Sequence, residues 1–338
     1  MPNILSKKRY TGIEIGTNQI KMTQCMGNCL YRTETETLPN SYVREGRIVS
    51  PDAMSEVIKN MAKKYHFNDK RAAIVLPETD AFTRRMTVPA MTVEQLKLNL
   101  PYEFHDYITD DKNEYIYDYS VLELIKDESG TPISMDIVGA AAPKNRLEDY
   151  KTMLRRAGFH LDIAAPAVFA FANIIRDYEE REKILEDREY CFVDFGHQTT
   201  KLYIFNHDRF EVNREIEYGC AAMDEAIAGT QNVDIHVAHQ YMTKNYNDVW
   251  ASPECTEIYE RIRIELMRAI NFYSFNNPDS HLQNVYFFGG GSLVTNLVQT
   301  VSEGISLTPA PISDLLDHEG ELPPESFIAP AAAGITFL

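Results

Sequence analysis

Apolar residues recur at two periods along the chain, and each change of period marks an element. Residues 10–15, 19–24 and 30–38 are rich in β-branched and aromatic side chains. Gly16-Thr17-Asn18 and Gly27-Asn28 separate them, so the pattern predicts three strands joined by tight turns. The period then lengthens. Ala53, Met54, Val57, Ile58 and Met61 fall on one face of a helix over about 51–65, with Ser50 placed to cap it and Pro51 at its first position. A short apolar strand follows at 71–76. Residues 80–140 read as a separate module: a strand at 82–88, a helix from Thr92 to about 104 interrupted near Pro101, and strands at 115–125 and 133–141 around a turn at 127–130. Helices are expected at 143–157, ending at Gly158, and at 167–175, running on into the charged stretch 176–189. Further on come a helix at 256–275, a buried-type strand at 284–288 and a helix at 293–302.

The pattern repeats itself. Residues 10–21 match residues 190–201 without a gap: Tyr10 with Tyr190, Glu14 with Asp194, Gly16 with Gly196, Lys21 with Lys201. The turn at Gly27-Asn28 falls opposite His207-Asp208, so both copies read as strand, turn, strand, turn, strand. A match at one constant offset predicts two structurally related halves.

Each copy sets an acid two positions before a glycine at the end of an apolar strand. Glycine lets a backbone amide approach an anion without interference from Cβ. The turn after it offers donors, Thr17 and Asn18 in one copy and His197, Gln198 and Thr199 in the other, and such turns form anion-binding concavities. Glu14 and Asp194 could hold a hydrated Mg²⁺, which keeps several waters and takes one or two carboxylates. Two such hairpins would clamp the phosphates of a nucleotide and its metal. A third element, Gly289-Gly290-Gly291-Ser292, lies between a strand and a helix, where backbone can approach a ligand closely. There is no G-x-x-x-x-G-K-[ST] and no G-x-G-x-x-G, so neither a P-loop nor a dinucleotide fingerprint is expected.

Composition narrows the choice. The chain has 338 residues, 44% hydrophobic and 25% charged, a globular balance long enough for two domains. Its net charge of −17 repels phosphate backbones, so nucleic acid is not an expected partner. No apolar run approaches the roughly 18 residues of a spanning helix, and the N-terminus lacks the apolar core of a secretory signal. Five cysteines read as reduced thiols. Residues 4–9, two apolar positions before three cations, read as a disordered tail or a weak lipid contact. The acidic, aromatic stretch 102–119 reads either as strand residues with one buried face or as a partner-binding edge that meets a basic tail.

Two acid-and-glycine hairpins followed by a C-terminal glycine turn resemble the actin-like ATPase superfamily, and within it the type IV pilus assembly protein PilM family, related to FtsA. The stretches that carry the resemblance include residues 12–16, 75–85 leading to 88–91, Ala142-Pro143, 193–201, 288–292 and 328–334. It implies an α/β, actin-like (ribonuclease H-like) two-lobed fold with an inserted small subdomain. Residues 1–189 would form lobe I, with the insert at about 80–140. Residues 190–329 would form lobe II, with a smaller helical subdomain at about 230–280, and residues 330–338 a helix returning to lobe I.

The resemblance also implies function: a cytoplasmic nucleotide-binding scaffold of a type IV pilus or type II secretion-like machine. It would recruit the cytoplasmic tail of a PilN-like inner-membrane protein, alongside other pilus platform proteins, and so sit at the inner face of the membrane through its partner. It would act at most as a weak ATPase. Expected nucleotide-binding residues are Gly16, Thr17, Asn18, Lys21, Gly196, His197, Gln198, Thr199, Gly289, Gly290, Gly291 and Ser292, with ATP as cofactor and Mg held through water by Glu14 and Asp194. Expected partner-binding residues are Phe82, Phe104, Tyr107, Tyr115 and Tyr117. Three places depart from the family pattern: Glu14 replaces the usual Asp, Cys220 follows Gly219 where a second glycine is usual, and His239 and Met242 stand where Glu and Lys commonly reach the ribose. These departures set one alternative, the same scaffold with a degenerate site that neither binds nor hydrolyses ATP; the superfamily itself supplies another, a small-molecule kinase, for which the sequence offers no motif for a catalytic acid or base.

Overall fold

The computed structural model describes residues 9–39 and 41–337. All but Arg9 of the basic segment 4–9 lies outside the described residues. The chain divides into two compact units, Met1–Ile174 with Ala331–Leu338, and Ile175–Pro330.

In the first unit, β1 (Arg9–Ile15), β2 (Gln19–Met26) and β3 (Cys29–Thr37) form an antiparallel meander. A ribbon of β4 (Val43–Arg44) and β5 (Arg47–Ile48) leads into α1 (Pro51–Lys64), and β6 (Arg71–Leu76) returns parallel to β1. Next comes the insert: β7 (Phe82–Pro89), α2 (Val93–Glu103), β8 (Tyr115–Lys126) and β9 (Pro132–Pro143). Its strands form their own sheet in the order β7-β9-β8. The chain re-enters the unit through α3 (Lys144–Arg156) and β10 (His160–Pro166), which pairs parallel with β6, before α4 (Ala167–Glu182). Ile13, Ile20, Met22 and Ile74 of the sheet pack on Met54, Ile58 and Met61 of α1 and on Met153 and Leu154 of α3.

The second unit opens with another antiparallel meander, β11 (Glu189–Phe195), β12 (Thr200–Asn206) and β13 (Arg209–Ile216). Helices α5 (Cys220–Gln231), α6 (Ile235–Lys244) and α7 (Pro253–Asn276) follow. Then β14 (Asn284–Phe288) pairs parallel with β11, α8 (Thr295–Gly304) follows, and β15 (Thr308–Ala310) pairs parallel with β14. Val193, Leu202 and Ile204 pack against Met223 and Ile227 of α5, Ile262 and Leu266 of α7, and Leu297 of α8. The last element, α9 (Pro330–Gly334), falls almost wholly in the first unit.

The two sheets share one topology: β3-β2-β1-β6-β10 in the first unit and β13-β12-β11-β14-β15 in the second. The match extends to register, since Glu14 lies opposite Lys21 as Asp194 lies opposite Lys201. Even the far turns agree, with φ +61° at Gly27 and +51° at His207. The sequence repeat therefore corresponds to a repeated structural unit.

Three local expectations change. Pro101 lies inside α2 and does not interrupt it, because buried Leu100 and Phe104 anchor the helix on either side of the missing N–H. Ser50 makes no side-chain cap, whereas Thr92 and Gln95 form a reciprocal capping box. The triple glycine runs into a 3₁₀ turn, Gly290–Leu293, and the helix begins only at Thr295. Bonds from Ser292 N–H to the Gly289 carbonyl and from Val294 N–H to the Gly291 carbonyl hold that tighter turn.

Candidate functional site

The first hairpin turns at Gly16-Thr17-Asn18, closed by the Gly16 N–H donating to the Gln19 carbonyl at 2.9 Å. Glu14 and Lys21 face each other across β1 and β2, and Lys21 Nζ lies 2.5 Å from Glu14 Oε1. Both side chains are largely buried, as is Asn18. Lys21 was expected to meet phosphate and Glu14 a hydrated metal; here each also neutralises the other.

The second hairpin is built into its surroundings. Cys220 N–H donates to the Gly196 carbonyl at 3.1 Å, and Ala221 N–H to the His197 carbonyl at 2.7 Å, so the first turn of α5 is docked on the hairpin backbone. Gly219 permits this approach, because a Cβ there would stand 2.5 Å from the His197 carbonyl oxygen. Asp194 pairs in register with Phe288, which delivers Gly289 beside its carboxylate. A Cβ at Gly289 would overlap Asp194 Oδ1, and one at Gly291 would come within 2.7 Å of Cys220 Sγ. The structure thus brings together Asp194, the 196–199 turn and the glycine turn, all within the second unit. Lys201 reaches Glu215 at 3.3 Å.

Beside this turn stands a pair of imidazoles. His239 of α6 donates from Nδ1 to Oδ2 of buried Asp224 at 2.8 Å, and the His197 ring lies edge-on to it, with centroids 6.0 Å apart. The hydrogen bond to Asp224 raises the His239 pKa, while burial lowers that of His197. Met242 does not share the surface with His239. It is 5% exposed and accepts from the Cys255 thiol at 3.6 Å, so it belongs to the core.

In the insert, four rings run in sequence. Phe104 and Tyr117 have centroids 5.8 Å apart, and Tyr117–Tyr115 and Tyr115–Phe82 follow at 6.3 Å each. Phe82 and Tyr107 are exposed, and Tyr115 and Tyr117 half-buried. Phe104 differs from the other four in its burial: it is 0% exposed and packs with Met86, Leu96 and Ile137, so it supports the rim from beneath. Arg84 lies over the Tyr107 ring.

One feature has no motif in the sequence. Asp80, 4% exposed, lines a small cavity of about 20 Å³ with Ile48, Pro51, Arg146, Asp149, Tyr150 and Met153. Its Oδ2 accepts from the Tyr150 hydroxyl at 2.7 Å. Arg146 Nε stands 3.5 Å and Arg47 Nε 4.0 Å from Oδ1, yet no described residue donates a hydrogen bond to that oxygen. Burial, with Asp80 beside it, pushes the Tyr150 phenol well above its usual range. Among the described residues no cluster of three or more His, Cys, Asp or Glu side chains offers a metal cage, and no helix is long and apolar enough to cross a membrane.

The sequence model of the family described as type IV pilus assembly protein PilM matches residues 12–317. No curated protein sequence matches the chain. Among solved structures, one described as a PilM-PilN type IV pilus biogenesis complex is 20% identical, with a TM-score of 0.78 and 98% of each chain covered. The ethanolamine utilization protein EutJ from Carboxydothermus hydrogenoformans is 12% identical, with a TM-score of 0.60 over 99% of this chain and 91% of that one. MreB5 of Spiroplasma citri bound to ADP is 11% identical, with a TM-score of 0.50 over 97% and 95%. The fold is the actin-like α/β fold.

Proposed function

Because the chain belongs to the type IV pilus assembly protein PilM family, we propose that it is the cytoplasmic platform of a pilus or secretion-like machine, and that it holds the tail of a PilN-like inner-membrane protein on its first unit. The observation that carries this reading is the Asp80 cavity. At about 20 Å³ the cavity admits one small donor group of a bound chain, and Asp80 Oδ1 on its wall would accept from it. Arg146, which lines the cavity, and Arg47, 4.0 Å from Asp80 Oδ1, add donors for the carbonyls of an extended chain, and Ile48 and Met153 add apolar wall. The ring series from Phe82 to Tyr117 offers further contact area on the insert. Such a tail would also be the protein's tether to the membrane.

Each hairpin is a proposed phosphate-binding turn for ATP, Gly16–Asn18 in the first unit and 196–199 in the second. Asp194 is the proposed carboxylate toward a phosphate-borne Mg²⁺, held at the strand end beside the close-packed backbone of Gly289. The ion would bring most of its ligands as water and phosphate oxygen. A second reading keeps the platform and drops the nucleotide, and the Glu14–Lys21 ion pair favours it, since both groups are already engaged.

Titration of a fluorescent PilN-like tail peptide tests the main reading. Asp80→Asn keeps the shape but removes the charge that faces two guanidiniums, and binding is expected to weaken by about 10-fold or more. Equal affinity for wild type and Asp80→Asn would remove the cavity from the interface. Running the titration with and without Mg-ATP asks whether nucleotide biases the partner site, which requires differential affinity for two states.

A further inference from the structure

We propose that Asp224 and His239 are positioning residues of the 196–199 turn, and that this turn takes up a proton when it takes a phosphate group. The inference rests on the nucleotide reading above and adds a regulation of its second half.

Three elements of the second unit meet here. The β11–β12 turn brings His197, α5 brings Asp224 one turn in from its start, and α6 brings His239. A buried carboxylate needs a compensating partner, and the bond from His239 Nδ1–H to Asp224 supplies it. That bond fixes the tautomer and the tilt of the His239 ring, and the carboxylate favours imidazolium. The His197 ring meets it at 85°. Its own backbone is pinned, since the His197 carbonyl accepts from Ala221 N–H. Burial pushes His197 down, Asp224 opposes that, and the charge on His239 adds to the fall.

Other ionisable groups lie around Asp224 and the start of α5. From α5 comes the Cys220 thiol beside Gly291. From α7 come Cys255 and Tyr259, with Glu254 beside Cys255; burial pushes the thiol and the phenol up and keeps both neutral. On α6 itself, His236 and Lys244 are exposed. Of the two rings, His239, bonded to Asp224, is the favoured place for a proton and buried His197 the disfavoured one. A phosphate group at the turn supplies the negative charge that makes a second proton favourable on His197. By linkage, phosphate binding then tightens as pH falls.

Calorimetric titration of the full chain with Mg-ADP, in two buffers of different ionisation enthalpy from about pH 6 to about pH 8.5, reads the proton directly. Wild type is expected to take up a proton and to bind about five- to tenfold more tightly at the acid end. His239→Gln should flatten that slope, and Asp224→Asn should do the same while moving the His239 NMR titration downward. Titration of the ADP phosphate is common to all variants and cancels in the comparison. The buffer pair needs no variant, and His239→Gln replaces a half-buried ring if Asp224→Asn does not fold. Proton uptake unchanged in His239→Gln overturns the inference and leaves the nucleotide reading standing. No ADP binding at any pH overturns both.

Discussion

At Gly289 the backbone has φ +84°, and a Cβ would overlap the Asp194 carboxylate and stand 2.7 Å from the Phe195 carbonyl oxygen. Gly289→Ala therefore combines left-handed backbone with overpacking and is expected to cost about 2–4 kcal/mol of stability in urea unfolding. Gly130 also has positive φ but nothing within reach of a Cβ, so Ala there should cost only the backbone part. His239 carries a pH dependence of known sign. Asp224 raises its pKa in the folded state above the ordinary 6.5. The stabilisation is complete below that ordinary value and fades as pH rises through the raised one. Asp80 makes a different point. Its partners, at positions 47, 146 and 150, lie far apart in the chain, and no spacing announces them.

Among the elements, the hairpins were the most legible. Alternating apolar positions and glycine turns located β1–β3 and β11–β13, and the constant offset between them pointed to a shared topology before any pairing was known. Periodicity was weaker where both faces of a sheet carry aromatic residues. In β8 the tyrosines alternate correctly, but alternation alone does not say which face is covered, nor that Phe104 lies under the sheet and not on the rim. Consecutive glycines leave the choice between α and 3₁₀ open in the sequence, and the local bonds from Ser292 and Val294 decide it in the fold. The insert offers a clean contrast. Phe104→Ala empties the centre of its core and should destabilise it by about 3–5 kcal/mol, seen as faster hydrogen exchange confined to residues 82–143. Tyr107→Ala, at a 54% exposed position, should leave exchange unchanged and weaken tail-peptide binding if the rim belongs to the interface.

For the molecule as a whole, the division into units does not follow chain order. The first unit contains residues from both ends. Thr23 Oγ1 on β2 donates to the Ala332 carbonyl at 2.9 Å, and Asn173 Nδ2 to the Gly334 carbonyl at 3.2 Å. Ala331, Ala332, Ala333, Ile335 and Phe337 are each nearly fully buried. Deleting residues 331–338 removes that apolar layer and is expected to unfold the first unit while the second, whose strands β11–β15 and helices α5–α8 all lie within residues 175–330, keeps its protection from hydrogen exchange. A single cooperative loss of both units would contradict this. The arrangement also bears on synthesis. The first unit cannot close until residues 331–337 have been made, after the whole of the second unit. An interrupted product therefore carries an unfinished first unit, exposed to proteases before it can join an assembly.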